Sequence, residues 1–295
     1  MRTAAAAAPS RPASRVVHAF VRNPLAVSGL ALFGTTLIVA LLAPALAPDP
    51  YDNQNIMGRL KPPLSSGPGG RVYLLGTDPL GRDMLSRIIY GARASLSVAV
   101  AGLVIGGGLG TLLGLLAGFG GRGLDALVMR LVDAQLAFPS LLLAIAVIAA
   151  LGTSLWTLLA VLALRSWAVH TRTLRSAVLV IREQESVTAA RALGAGPLRV
   201  AFKEILPNAL APLIVVATAQ LGALILLEST LSFLGIGLQP PAPSWGSMLS
   251  SGRPYMTVAW WVAAVPGVAI LIAVLGANLL GDGLRDALDP RLKWS

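Results

Sequence analysis

Six blocks of nearly unbroken apolar sequence constrain this chain more than any single motif. They cover residues 25–47, 93–119, 125–151, 154–172, 207–231 and 258–281. A hydrocarbon core ~30 Å thick is crossed by ~20 apolar residues of helix, so each block is a candidate span. Composition agrees. The 295 residues are 55% hydrophobic and only 12% charged, where a soluble domain carries about 25% charged residues. With a mean hydropathy of +0.75 the chain takes lipid as its solvent. The expected fold is all-α, a polytopic membrane protein with six transmembrane helices in one membrane domain.

The segments between the blocks complete the layout. Residues 1–14 are rich in Ala, Pro and Ser and are expected to be disordered. Residues 15–23 pair Val16, Val17, Phe20 and Val21 with Arg15 and Arg22, which fits a short interfacial helix. Ala45-Leu46-Ala47 looks like a signal cleavage site, but the apolar run before it exceeds the ~7–15 residues of a signal core. A 24-residue leader also precedes it, so the block is read as an uncleaved anchor. The expected divisions are a tail over 1–24, an anchor over 25–47, an extracytoplasmic segment over 48–92, a core over 93–281 and a tail over 282–295.

The net charge of +10 is spread between apolar blocks, so it reads as a topology signal and nucleic acid is not an expected partner. Arg2, Arg11, Arg15, Arg22 and Arg122 fall on one side if the N-terminus is cytoplasmic. Arg172, Arg175, Arg182, Arg191, Arg199, Lys203, Arg285, Arg291 and Lys293 fall on the same side. The opposite side has Arg253 in the 232–257 loop, and five basic residues in the long 48–92 segment. Both termini are therefore expected inside a plasma or inner membrane. There is no cysteine, and the two histidines, His18 and His170, lie far apart. Disulfides, thiolate chemistry and a histidine metal site are not expected.

Gly102, Gly106, Gly110, Gly114 and Gly118 recur at every fourth position. On a helix they form one stripe without side chains, which another helix can approach closely. The stripe reads as packing within the bundle, and also as a surface on which helices slide during gating.

The stretch from Ser186 to Ala209 reads as helix, break and helix. Val187 to Leu193 favours helix. Gly194-Ala195-Gly196-Pro197 interrupts it, and helix resumes from Leu198 to Leu206 with Pro207 near the membrane entry. This stretch resembles the coupling loop of binding-protein-dependent ABC importers, whose helix docks into an ATPase subunit. The pattern is Glu-Ala-Ala, three residues, Gly, nine residues, Ile, one residue, Leu-Pro. Ala189, Ala190, Gly194, Leu206 and Pro207 match it in spacing, over a loop taken as 183–207. Thr188 replaces the Glu, and Glu204 stands where Ile is expected.

Three more blocks, in order along the chain, carry the same resemblance: Leu75 to Asp83, Leu231 to Gly246, and Gly281 to Arg291. Together they resemble the C-type permease subunit of the dipeptide/oligopeptide (peptide/nickel) family. That resemblance implies a type I importer fold with a cytoplasmic coupling helix. It also implies a second homologous permease, two ATPase domains and an extracytoplasmic solute-binding protein. The chain has no Walker-type phosphate loop, so ATP and Mg are expected on the ATPase partners, with no cofactor here and no enzyme activity of its own. A peptide substrate is the first expectation; nickel chelates, glutathione and other small solutes are the alternatives within the family.

Several polar residues have two readings each. Asp133 is an ion-pair partner of Arg130 at i, i+3, or part of a proton relay. Glu228 supports packing, or meets a peptide amino group. Arg165 snorkels or lines a cavity, and is a lesser candidate for a substrate contact. Gln239 and Trp245 belong to an outer gate, or to an ordinary packing loop. The rival classes are a secondary transporter, which would show midplane acids and internal repeats, and a structural scaffold, which would not need the patterned 232–257 loop.

Overall fold

A computed structural model of the chain describes residues 18, 20–67, 70 and 72–288. The expected disorder of residues 1–14 lies outside them, as does most of the interfacial helix, although residues 20–22 are helical. Helix α1 spans Pro24–Leu41. Its start is fixed by Pro24 at the first position and by Asn23, whose Oδ1 accepts the Leu25 and Ala26 amides at 3.0 and 3.3 Å. A short helix, α2 (Ala43–Leu46), completes the first block. The segment that follows holds a 3-10 turn (Ile56–Gly58) and a small antiparallel hairpin of β1 (Ser65–Ser66) and β2 (Val72–Tyr73).

Helix α3 (Met84–Phe119) is 36 residues long, and Asp83 caps it by accepting the Ser86 amide at 2.8 Å. Next come α4 (Gly121–Leu136), α5 (Ser140–Leu151) and α6 (Leu155–Ile181). Helix α7 (Glu185–Ala192) leads through α8 (Pro197–Arg199) and a π-helical turn (Val200–Ile205) into α9 (Leu206–Phe233). Helix α10 (Trp245–Gly252) carries a capping box between Ser244 and Ser247, and α11 (Trp261–Leu288) closes the described chain.

Among the described residues four helical stretches, α1, α3, Pro197–Phe233 and α11, are long and apolar enough to cross a membrane, and the bent α4–α5 pair makes a fifth if it is taken as one span. The structure adds detail to the sequence reading at five places. The 125–151 block is not one straight helix: α4 and α5 meet at 93°. Pro139 disfavours helical backbone at Phe138 and gives up its own amide donor, so the chain breaks there. The second block begins at Met84, so the end of the 48–92 segment belongs to α3. The 154–172 block extends to Ile181, but Arg165, His170, Arg172 and Arg175 place α6 outside the apolar set. The 207–231 block does not start a new element, because helix runs unbroken from Pro197. The widened π turn ahead of Pro207 makes room for its ring and its missing donor. Finally, the 282–295 tail is helical to Leu288.

Helices α3 and α6 form the most extensive pairing in the bundle. A Cβ built on Gly102 or Gly118 would meet Leu162 Cβ at 2.5 Å or Val178 Cγ1 at 2.4 Å. On Gly106, Gly110 and Gly114 it would meet backbone oxygens of Ala163, Trp167 and Thr171 at 2.3, 2.4 and 2.8 Å. The glycine stripe is therefore the α3–α6 contact, and the ordered pairing makes the two helices parallel. Helix α1 lies on α11 in the same manner, through Gly29, Gly276 and Gly283. The main apolar core joins α3, α5, α6 and α9, with Leu96, Ala99, Ile148, Leu162, Leu224 and Ile225 buried.

Candidate functional site

The coupling stretch is built around one helix stop. Beyond α7 the Gly194 amide donates to Arg191 O at 2.9 Å and the Ala195 amide to Ala190 O at 3.0 Å, with Gly194 at φ +82°. This is a Schellman cap, whose left-handed position favours glycine. Pro197 then opens the next helix at its first position. Thr188 and Ala189 are exposed, and Ala190 is half-buried. The Thr188 hydroxyl donates to Gln184 O at 3.3 Å, so it is spent within α7. Pro207 is exposed and Leu206 is half-buried at the end of the π turn.

What holds the stretch is a set of residues that motif reading passed over. Val187, Val200 and Ile205 are fully or almost fully buried, and pack with Leu174, Val178 and Ile181 of α6, Leu115 of α3 and Leu213 of α9. Their signal was present as apolar positions on the inner face of a short helix, but a basic stretch hides so sparse a pattern. Across from them Leu193, Leu198 and Phe202 are 89, 75 and 54% exposed. The stretch is thus riveted to the bundle on one side and offers apolar side chains on the other. Its buried side chains rest on α3, α6 and α9.

At the opposite end, the Leu75–Asp83 block is a polar knot. Asp78 is buried; it accepts the Leu80 and Arg82 amides at 2.8 and 2.9 Å and the Arg82 guanidinium at 2.7 Å. It also pairs with the buried Arg87 on α3. Thr77 donates to Gly58 O at 2.6 Å and accepts the Lys61 amide at 2.8 Å, while Trp261 Nε1 donates to Thr77 O at 3.1 Å. Gly81, at φ +74°, lies so close to Asn55 that a Cβ would sit 1.8 Å from its carbonyl oxygen. The block therefore ties the segment before α3 to α3 and α11.

Trp245, expected in a gate or a packing loop, is 2% exposed. Its indole donates to Ile88 O at 3.0 Å, its amide donates to Ser95 Oγ at 3.3 Å, and its ring covers Gly91. Glu228 is fully buried between α9 and α3, and accepts hydroxyls from Ser232 at 2.7 Å, Ser229 at 3.4 Å and Ser95. Gln239 is exposed, and its amide donates to Gly237 O at 3.0 Å. Asp133 pairs with Arg172 of α6, not with Arg130, because antiparallel α4 and α6 bring the two together. Asp125 pairs in the same way with Arg175, at 2.6 and 2.8 Å. Arg165 lines a cavity of about 290 Å³ at the α4–α5 break. Ser95 joins Glu228 and Trp245 in one buried hydrogen-bond network, and Ser232 links Glu228 to the Leu238 amide beside Gln239, whereas Asp133 is engaged elsewhere, with Arg172.

Comparison with known proteins is consistent with this arrangement. Residues 11–63 match the N-terminal transmembrane domain of oligopeptide transport permease C. The di/tripeptide transport system permease protein DppC of Pseudomonas aeruginosa is 47% identical over 282 residues, covering 96% of this chain and 93% of that one. The dipeptide transport system permease protein DppC of Haemophilus influenzae is 43% identical, with 97% of each chain covered. The Escherichia coli protein of the same name is 44% identical, covering 97% of this chain and 95% of its own. Residues 110–294, which hold α4 to α11 and the coupling stretch, match the model of the binding-protein-dependent transport system inner membrane component, and the chain belongs to that family.

Proposed function

We propose that this chain is one of two homologous permease subunits of an ATP-driven importer that carries short peptides across a bacterial inner membrane. The observation that carries this reading is near full-length similarity, at 43–47% identity, to permeases named for dipeptide and di/tripeptide transport. Peptide is preferred to nickel chelate or glutathione on that ground. Two ATPase domains hold ATP and Mg, and an extracytoplasmic solute-binding protein delivers the substrate. This subunit hydrolyses nothing itself. Both termini lie in the cytoplasm, consistent with the basic residues around α7.

In this mechanism closure of the ATPase pair pushes on Leu193, Leu198 and Phe202. Val187, Val200 and Ile205 pass the push to α3, α6 and α9, and a rigid-body rotation switches the pathway between its two faces. The 48–83 segment and the α9–α11 connection form the outer surface, where the binding protein docks. The test is purification of the chain from its native membrane in mild detergent, followed by ATPase assay with binding protein and candidate peptides. Recovery of a second permease and ATPase subunits, with activity stimulated by peptide-loaded binding protein, is the expected result. Recovery of the chain alone, under conditions that hold known importers together, refutes the reading and favours a secondary transporter.

A further inference from the structure

The cavity at the α4–α5 break contains a charge that the bundle does not neutralise. It is about 290 Å³ in volume and is lined by Gln135, Phe138, Ser140, Leu143, Arg165 and Val169, among others. Arg165 lies ten residues into α6, about 15 Å along that helix from its capped start at Ser154. Its Nε is buried without a hydrogen-bond partner, and no carboxylate pairs with it among the described residues. The two acids of α4 are engaged elsewhere, Asp133 with Arg172 and Asp125 with Arg175.

A guanidinium without a carboxylate in a cavity with apolar walls is costly unless it faces a polar path or an anion. The rest of the cavity suits the end of a peptide. Gln135 donates its amide N–H to Leu164 O, which holds the side chain, while its Oε1 is buried and unpartnered. It is free to accept an N–H. Ser140 is the first residue of α5, which has no side-chain cap, so the positive end of that helix adds to the field without defining it. Phe138, Leu143 and Val169 supply apolar wall.

We propose that Arg165 and Gln135 form a subsite of the translocation pathway for the C-terminal carboxylate of a peptide. Arg165 takes the carboxylate as a two-pronged ion pair, and Gln135 Oε1 accepts the last peptide N–H. This rests on the peptide-importer reading. It places the face of the α4–α5 break toward the pathway, where the second permease closes the cavity from the other side.

The test uses the complete importer in proteoliposomes. A tripeptide with a free carboxylate and its C-terminal amide are each supplied on binding protein at saturation. The wild-type importer moves the acid faster than the amide, by about ten-fold, the scale of one charge-assisted hydrogen bond. Arg165→Gln brings the ratio to about one by slowing the acid, and Arg165→Lys keeps it above one. An unchanged ratio overturns the proposal. So does equal slowing of both peptides, or failure of Arg165→Gln to recover the partner subunits, since either makes Arg165 a structural contact. If the wild-type importer moves neither peptide, the peptide reading itself falls. Wild-type transport with an indifferent Arg165→Gln removes only the carboxylate subsite.

Discussion

Gly106→Ala isolates the α3–α6 contact. The new methyl carbon would stand 2.3 Å from Ala163 O and 2.8 Å from both Ala163 Cα and Ser166 Cβ. Ordinary contact begins near 3.4 Å, so α3 and α6 must part by about 1 Å at this level. Two of the three obstructing atoms are backbone, so no rotamer change relieves the clash. The separation also opens gaps beside Gly102 and Gly110, whose own contacts on α6 are 2.5 and 2.4 Å from an added Cβ. Overpacking of this kind costs about 1–3 kcal/mol. Gly108→Ala, two residues along, is the control, because nothing lies within 4 Å of its Cβ. It is expected to be neutral, or to stabilise by up to about 1 kcal/mol through helix propensity. The assay is thermal unfolding of each purified variant in one detergent, with recovery per membrane as a second measure. Gly106→Ala lowers the midpoint by several degrees relative to Gly108→Ala. Equal midpoints would show that α3 and α6 do not meet along this stripe, and the bundle described above would be wrong.

Three further outcomes follow from other parts of the fold. Gly194→Val forces a β-branched residue into a left-handed position, at a cost of about 1–2 kcal/mol or more, whereas Gly194→Asn is tolerated there. Pull-down of ATPase subunits should fall for Val and persist for Asn; equal recovery, with transport intact, would demote the α7 cap to an ordinary loop. Asp78→Ala leaves Arg87 buried without its partner, a change worth about 3–5 kcal/mol, so the segment before α3 should become sensitive to added protease. Protection equal to wild type would refute the knot at that end. Asp133→Asn removes a pair whose side chains are 63 and 47% exposed, so it should cost no more than about 1 kcal/mol and leave transport running. Abolished transport in a fully assembled complex would revive the proton-relay reading.

The legible parts of the fold were those set by local pattern. Between the third and fourth blocks only residues 152 and 153 separate the two apolar runs, and the structure places Gly152 at φ +82° with Ser154 capping α6. The stop at Gly194 was equally plain. The bend at Phe138-Pro139 was open to the same reasoning, but a continuous apolar run masked it. Pro207 was read as lying near the membrane entry, and the π turn carries the helix through it. Asp133 was assigned to Arg130 because i, i+3 neighbours can be read along the chain, whereas Arg172 lies 39 residues away. The same limit hid the anchors of the coupling stretch, since Val187 and Val200 are informative only once α6 lies beneath them.

By itself the sequence determined the solvent, because blocks of ~20 apolar residues have no other stable environment. It also determined where helices must stop, since glycine and proline act on backbone angles and donors within a few residues. Tertiary structure alone decided which groups meet. The glycine stripe could have faced any helix, and close approach of backbones selects α6. Trp245 and Glu228 became buried rather than exposed because α9 and α10 fold back on α3. Among the described residues Arg165 has no carboxylate partner, because the antiparallel run of α4 along α6 delivers both α4 acids to Arg172 and Arg175. Such pairings depend on register between elements distant in the chain, and no local periodicity encodes that register.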